Sequence, residues 1–220
     1  MGIIIINFKA YREGFGKQAI ELAKIADEVA SRCDEYIAVA VNSLDLAEIV
    51  KEVSIDVFSQ HVDAIDFGSH TGRINAEMIK DKGAKGSLIN HSERRLKLAD
   101  IEFIVSKMRE LELVSVVCTN NVQTTAAAAA LNPDYVAVEP PELIGTGIPV
   151  SKAEPEIVEN SVKAAKNVNR KVKVLCGAGI TNNKDYVSAL DLGAEGVLLA
   201  SGIVKAKDRK AALEELVGLR

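Results

Sequence analysis

The sequence lacks the features that mark several specialised classes of protein. Its three cysteines, Cys33, Cys118 and Cys176, are far apart and form no Cys-x-x-Cys pair, which favours a reduced protein without a disulfide framework. None of its three histidines has metal-ligand spacing, so we expect no metal site. No apolar run approaches the roughly 20 residues that a membrane span needs. Disulfide-stabilised, metal-dependent and membrane-spanning proteins are therefore disfavoured.

An excess of basic residues is also absent. The formal net charge is −4 at pH 7, which argues against a surface that binds nucleic acid or anionic membranes. Backbone N–H groups can still bind a small anion locally. The first seven residues contain four consecutive isoleucines but no basic segment before them, so we expect no signal peptide and a cytoplasmic protein.

What the sequence does contain is a regular alternation of strand and helix patterns. Eight short runs rich in Val and Ile predict strands at residues 3–6, 36–41, 55–60, 86–90, 113–118, 134–138, 172–175 and 196–199. Each is followed by a helical pattern, at residues 18–33, 44–51, 75–82, a helix N-capped by Asp100, and then 121–131, 154–169, 182–192 and 208–219. Such alternation predicts an α/β fold with a parallel sheet.

Eight such units favour a (β/α)8 TIM barrel formed by residues 1–220 as a single domain. A doubly wound sheet is the competing architecture. Its only support is the pair of glycines Gly177 and Gly179, a weak dinucleotide-binding signal because Asn182 stands three positions further on, where Gly or Ala is expected.

One segment combines a strand end, a carboxylate and a stiff hinge. Residues 136–139 read Val-Ala-Val-Glu, and Pro140 and Pro141 follow, each of which fixes φ near about −65°. Gly145-Thr146-Gly147 supplies a second, flexible hinge. The pattern predicts that Glu139 is a general base with a closing lid attached. Taken alone, a carboxylate in this position is more often a solvated loop residue, so the other strand ends must decide.

The C-terminal ends of the predicted strands carry polar or small residues. In a (β/α)8 barrel these ends converge at one mouth, where the chemistry takes place. Taken singly, each has an ordinary structural explanation, such as a surface lysine or a turn glycine. Together they provide a cation, an imidazole, a carboxylate and two small-residue loops that suit phosphate. In strand order they are Asn7 and Lys9, His91, Glu139, residues 177–180, and Ala200 with Ser201.

This combination of groups suits one type of reaction. A carboxylate can remove a proton from a carbon next to a carbonyl, and His and Lys can stabilise the enediolate that results. A lid that excludes water protects an intermediate that otherwise loses its phosphate. The sequence therefore predicts aldose–ketose isomerisation of a small phosphorylated sugar, and it suggests no metal or organic cofactor.

Three segments resemble the signature segments of the triosephosphate isomerase family, in the same order along the chain. They are Asn7-Phe8-Lys9, residues 90–95 (Asn-His-Ser-Glu-Arg-Arg) and residues 139–147 (Glu-Pro-Pro-Glu-Leu-Ile-Gly-Thr-Gly). The short chain, and the segments Cys-Gly-Ala-Gly-Ile at 176–180 and Leu-Ala-Ser-Gly at 199–202, are similar to the archaeal form of the family.

The resemblance implies catalytic roles for three residues. Glu139 would move a proton between two carbons of the substrate, and His91 would be the neutral electrophile, which is the established pattern of this family. The N-terminus of a helix starting around Ser92 to Glu93 would set the tautomer of His91. Lys9 would neutralise developing charge, with Glu93 as its supporting partner.

The resemblance also implies how substrate and subunits are held. Asn7 would help to bind the substrate, and its phosphate would accept hydrogen bonds from N–H groups. Thr71, in a loop that resembles the family's interface loop, would support the site of a neighbouring subunit. The implied protein is a homo-oligomer, dimeric or tetrameric, that interconverts D-glyceraldehyde 3-phosphate and dihydroxyacetone phosphate in glycolysis and gluconeogenesis. The phosphate donors would be Ile144, Gly179, Ala200 and Ser201.

The sequence departs from the family pattern at several positions around the site. Asn90 replaces a common Gly, Glu142 replaces the usual Trp of the lid, and residues 177–179 and 200–201 lack the usual Gly-Gly-Ser and Gly-Gly. Two other functions stay open at this point. A phosphosugar epimerase or tryptophan-pathway barrel is one, although the His and Asp ligand cluster of an epimerase is not visible; a barrel that binds phosphosugars without turnover is the other.

Overall fold

The computed structural model describes residues 2–140 and 154–219, which form a closed barrel of eight parallel strands. Each strand pairs with the next along the chain, and β1 also pairs with β8, which closes the barrel. The predicted (β/α)8 fold is therefore confirmed. The strands are β1 Ile3–Asn7, β2 Tyr36–Val41, β3 Asp56–Ser59, β4 Gly86–Ile89, β5 Val114–Thr119, β6 Tyr135–Val138, β7 Lys173–Gly177 and β8 Gly196–Leu199.

Helices follow the strands, and three of them begin at an asparagine that the sequence places there. The side chains of Asn75, Asn121 and Asn182 each accept a hydrogen bond from the backbone N–H three residues on. Within the described ranges no helix is long and apolar enough to span a bilayer. The helices are α1 Lys17–Ala30, α2 Leu46–Glu52, α3 Ala76–Asp81, α4 Leu98–Glu110, α5 Val122–Ala129, α6 Pro155–Val168, α7 Asn183–Asp191, α8 Ser201–Val204 and α9 Arg209–Leu216.

The predicted N-cap of α4 at Asp100 is wrong. The helix begins two residues earlier, at Leu98, and Lys97 occupies the cap position without a side-chain hydrogen bond. Asp100 lies in the first turn, where its negative charge interacts favourably with the helix dipole. An acidic residue near a helix start fits both positions, so the sequence pattern alone did not separate them.

The apolar residues form two packed layers. One fills the inside of the barrel with alternate strand residues, including Ile5, Phe58, Val116 and Leu198. The other, larger layer lies between the outer faces of the strands and the helices. This explains why the strands read as continuous apolar runs, because both of their faces are buried. The barrel is thus a rigid frame that holds the strand ends in fixed positions.

Candidate active site

Lys9, just after the end of β1, is held by a hydrogen bond at its backbone and an ion pair at its ammonium group. Its backbone has φ of +51°, and its N–H donates to Asn7 Oδ1 at 3.0 Å. Its Nζ lies 2.8 Å from Glu93 Oε1, while only 9% of its side chain is exposed. Asn7 is itself 4% exposed. The predicted partnership of Lys9 with Glu93 is therefore present, and an almost buried cation stands beside the barrel mouth.

His91 follows β4 and is 7% exposed. Its Nδ1 accepts a hydrogen bond from the backbone N–H of Glu93, with an N···N distance of 3.2 Å. The carboxylate of Glu93 is 3.6 Å from the same Nδ1, beyond hydrogen-bond distance, so the backbone N–H determines the tautomer of the ring. A neutral imidazole that accepts at Nδ1 carries its proton on Nε2. The geometry therefore gives a ring that presents an N–H donor at Nε2.

The helix start expected at Ser92 to Glu93 is not there. These residues form a turn, closed by a hydrogen bond from the Arg94 N–H to the His91 carbonyl at 2.8 Å, and α4 begins only at Leu98. A single turn N–H, rather than a helix N-terminus, fixes the imidazole. The Ser92 Oγ is buried and has no hydrogen-bond partner among the described residues.

Glu139 lies directly after β6, where its backbone N–H donates to the Thr119 carbonyl at 2.8 Å. The residue is 6% exposed, and its Oε2 is 3.6 Å from His91 Nε2. Neither atom has a hydrogen-bond partner within residues 2–140 and 154–219. Because an unpaired buried polar atom is destabilising, two of them facing each other indicate a place prepared for a ligand.

Two residues on neighbouring strands pack against Glu139. Burial, and then the charge of Glu139 and a hydrogen bond to it, raise the pKa of the Cys118 thiol, which keeps this thiol protonated near neutral pH. Gly177 at the end of β7 leaves room for the carboxylate, since a Cβ there would lie 2.3 Å from Glu139 Cγ. The position of the Glu139 carboxylate thus depends on Cys118 of β5 and Gly177 of β7.

A pocket open to solvent lies over the ends of β1, β6, β7 and β8. The loop after β7 turns through two left-handed residues, Ala178 and Gly179, with φ of +70° and +76°. The loop after β8 leads at once into α8, with Ala200 at its N-cap position and Ser201 as its first residue. The residues lining the pocket include Asn7, Lys9, Glu139, Gly179, Ala200 and Ser201.

The structure therefore brings together most of the predicted site residues. His91 is not among the residues that line the pocket, but it lies next to Glu139, which does line it. Thr71 lies in an exposed turn and does not line the pocket. Ile144, Glu142 and the predicted lid after Pro140 lie outside the described residues. Nothing in the described ranges gathers three or more His, Cys, Asp or Glu side chains in a way that suits a metal ion.

Three neighbours of the site were missed by sequence reasoning. Tyr11 and Thr181 line the pocket, and Cys118 contacts Glu139. The available signal for Cys118 was its position at the end of the fifth strand, which was left out of the set of strand ends. Tyr11 and Thr181 follow strands one and seven by only a few residues, which was their signal.

Comparison with known proteins agrees with this geometry. The family model described as triosephosphate isomerase matches residues 2–217. A protein of Archaeoglobus fulgidus named triosephosphate isomerase is 78% identical over 219 residues, covering 100% of this chain and 98% of its own length. Proteins of the same name from Methanocaldococcus jannaschii and Methanothermus fervidus are 58% and 57% identical, and each alignment covers 98% of this chain and 98% and 97% of theirs. The chain belongs to the triosephosphate isomerase family.

Proposed function

We propose that the chain interconverts D-glyceraldehyde 3-phosphate and dihydroxyacetone phosphate, with Glu139, His91 and Lys9 as its catalytic residues. The observation that carries this assignment is the pair of buried, unpartnered atoms, Glu139 Oε2 and His91 Nε2, which are 3.6 Å apart beside a pocket lined by Lys9. A base and a hydrogen-bond donor that face one small space can act on adjacent carbon and oxygen atoms of one substrate.

The proton transfer follows from these positions. The Glu139 carboxylate removes a proton from the carbon next to the carbonyl of dihydroxyacetone phosphate, and the electron pair moves onto the carbonyl oxygen. The N–H at His91 Nε2 donates a hydrogen bond to that oxygen and stabilises the enediolate. Glu139 then returns its proton to the former carbonyl carbon, the hydroxyl proton of the former alcohol carbon moves to the former carbonyl oxygen, and the aldehyde forms. No atom is gained or lost overall.

Lys9 has an electrostatic role in this proposal. Its ammonium group is held by Glu93 Oε1 at 2.8 Å and is nearly buried, so its charge acts in surroundings of low dielectric constant. The same Glu93 supplies the N–H that orients His91, so one residue supports two catalytic groups. Ser92, which lies between His91 and Glu93, belongs to the same supporting turn.

The phosphate is bound by the loops after β7 and β8. The backbone N–H groups of Gly179, Ala200 and Ser201 are its donors, together with Ile144 of the lid, and Asn7 helps to hold the substrate. The left-handed turn at Ala178 and Gly179 and the position of Ser201 at a helix start support this assignment. Closure of the lid by residues after Pro140 would exclude water from the enediolate.

We also infer that the protein is a homo-oligomer, a dimer or a tetramer, whose subunits are single (β/α)8 domains in the cytoplasm. Exposed apolar side chains near the barrel mouth support association: 83% of Leu44, 69% of Phe67 and 53% of Phe15 are exposed. All three lie in the loops that follow β1, β2 and β3, at the same end of the barrel, and a contiguous apolar patch there would suit a contact surface. Thr71, exposed in the same loop as Phe67, then contacts the site of the neighbouring subunit.

The test is the isomerase rate of a Glu139→Asp variant. The shorter side chain keeps the charge and withdraws it by about one methylene, and a displacement of ~1 Å is expected to lower kcat on the order of 100-fold. The exposed Glu48→Asp variant is the matched control and should keep the wild-type rate. Unchanged turnover in Glu139→Asp would remove Glu139 from the role of base. A folded wild type that binds the triose phosphate without turning it over would indicate a binding barrel instead.

A further inference from the structure

Asn90 connects β4, β5 and the turn that carries the catalytic histidine, and the mechanism above does not use it. It lies between the last residue of β4 and His91, with φ of +60°. Its side-chain Nδ2 donates to the Cys118 carbonyl at 2.9 Å, and its Oδ1 accepts from the Leu96 N–H at 2.8 Å. The nitrogen and the oxygen of the Asn90 side chain are therefore both hydrogen-bonded to backbone groups, one on β5 and the other at the far end of the turn.

The backbone carbonyl of Asn90 is hydrogen-bonded as well. Its carbonyl accepts from Arg95 Nη1 at 2.8 Å, and the same nitrogen is 3.4 Å from the Cys118 carbonyl. Residues 91–96 are thus closed into a loop whose two ends meet at Asn90. That loop contains Glu93, whose N–H donates to His91 Nδ1 and whose carboxylate holds Lys9.

We propose that Asn90 is a positioning residue for the isomerisation: by closing the 91–96 turn with its amide, it keeps the Glu93 N–H on His91 Nδ1 and so holds the imidazole with its proton on Nε2, facing Glu139. This inference rests on the proposed role of His91. Without the two hydrogen bonds of the Asn90 side chain, the Glu93 N–H is free to move away from His91 Nδ1. The nearby Glu93 carboxylate, 3.6 Å from Nδ1, then favours the tautomer with its proton on that nitrogen.

A backbone requirement alone does not explain the residue. Left-handed φ is most easily adopted by glycine and is tolerated by asparagine. An Asn90→Gly variant keeps the backbone conformation and deletes only the amide, so it separates the two explanations. The matched control is Asn132→Gly, because Asn132 also has a left-handed φ of +58° and its side chain also bonds another residue, Asn169, at 3.1 Å. Asn132 lies before β6, at the opposite end of the barrel.

The experiment combines nitrogen-15 NMR of the histidine rings with steady-state kinetics. In the ligand-free wild type, His91 should show a protonated Nε2 and an unprotonated Nδ1; its signals are identified by their loss in His91→Gln. In Asn90→Gly we expect a mixture of tautomers and a kcat lowered about tenfold or more, with KM changed by less than about threefold, because loss of the Glu93 N–H hydrogen bond to His91 Nδ1 corresponds to roughly a tenfold factor. Asn132→Gly should match the wild type in both measurements.

The outcomes separate this inference from the proposed function. A folded Asn90→Gly variant with the wild-type tautomer and kcat overturns the positioning role, whatever the reaction is. A wild type with protonated Nε2 but no isomerase activity contradicts the proposed function. The His91 tautomer can then still be compared between the wild type and Asn90→Gly, and that comparison tests the role of Asn90. If Asn90→Gly does not fold, Asn90→Ala replaces it; this variant also deletes the hydrogen bonds to the Leu96 N–H and the Cys118 carbonyl, and an unchanged tautomer and kcat there overturn the proposal equally.

Discussion

Replacing Gly177 by alanine should displace the catalytic carboxylate without disturbing the barrel. The new Cβ would lie 2.3 Å from Glu139 Cγ, 3.1 Å from its Cδ and 3.2 Å from Oε1, whereas ordinary contacts begin at 3.4 Å. The Glu139 side chain must therefore retreat by about 1 Å. The φ of Gly177 is outside the left-handed region, so alanine fits the backbone. A misplacement of ~1 Å in a catalytic group corresponds to a loss on the order of 100-fold, or about 2.7 kcal/mol of transition-state stabilisation.

The assay is kcat/KM for dihydroxyacetone phosphate formation, with thermal unfolding measured in parallel. Because Gly177 acts through Glu139, Gly177→Ala should have little further effect in a Glu139→Gln background, and the two substitutions should be strongly non-additive. Full activity in a folded Gly177→Ala variant would refute the reasoning. So would equal, additive losses in both backgrounds, because they would indicate that the alanine acts elsewhere.

Lys9, Asp63 and Asn121 each have a role that a single substitution tests. Lys9→Ala should weaken substrate binding and lower kcat together, so a near-normal kcat/KM would contradict its role. Burial alone would raise the pKa of Asp63, but hydrogen bonds from the Ile74 N–H, His61 and Arg73 outweigh it and hold the pKa below its ordinary value. The carboxylate therefore stabilises the fold above the unfolded pKa of about 3.9, and this contribution is lost as the pH falls through the lower folded pKa. Urea unfolding of Asp63→Asn should show a deficit of about 1–3 kcal/mol at pH 7 that shrinks at pH 3; a deficit that is the same at both pH values would contradict it. Asn121→Ala removes the cap of α5, where Asn121 accepts from the Thr124 N–H at 2.9 Å, and should lower the unfolding free energy by about 1 kcal/mol, whereas an unchanged urea midpoint would contradict that.

The fold was predictable because local patterns and topology agreed. Eight apolar runs with helical patterns between them determine a parallel barrel, and asparagines at positions 75, 121 and 182 mark helix starts that the structure has. The strand ends then place Lys9, His91 and Glu139 together, since a closed parallel barrel has one C-terminal mouth. Errors occurred where the sequence signal was ambiguous, as for Asp100.

The remaining features depend on contacts between distant parts of the chain. The clearance that Gly177 gives Glu139 is visible only when β6 and β7 are side by side. The donor that orients His91 was expected to be a helix N-terminus, because the resemblance to the triosephosphate isomerase family implied one, whereas the structure has a turn N–H there. The side-chain bonds of Asn90 to β5 and to Leu96 join residues up to 28 positions apart, which no local pattern specifies.

The central claim is that the Glu139 carboxylate moves the proton between two substrate carbons. Its most direct test is the conversion of D-glyceraldehyde 3-phosphate to dihydroxyacetone phosphate by the wild type and by Glu139→Gln, side by side and without added metal. We expect rapid wild-type turnover and a loss on the order of 10³-fold in the variant, because general-base catalysis alone contributes about 10²–10⁴. A folded Glu139→Gln variant within about tenfold of the wild-type rate would contradict it, since so small a loss falls below that range.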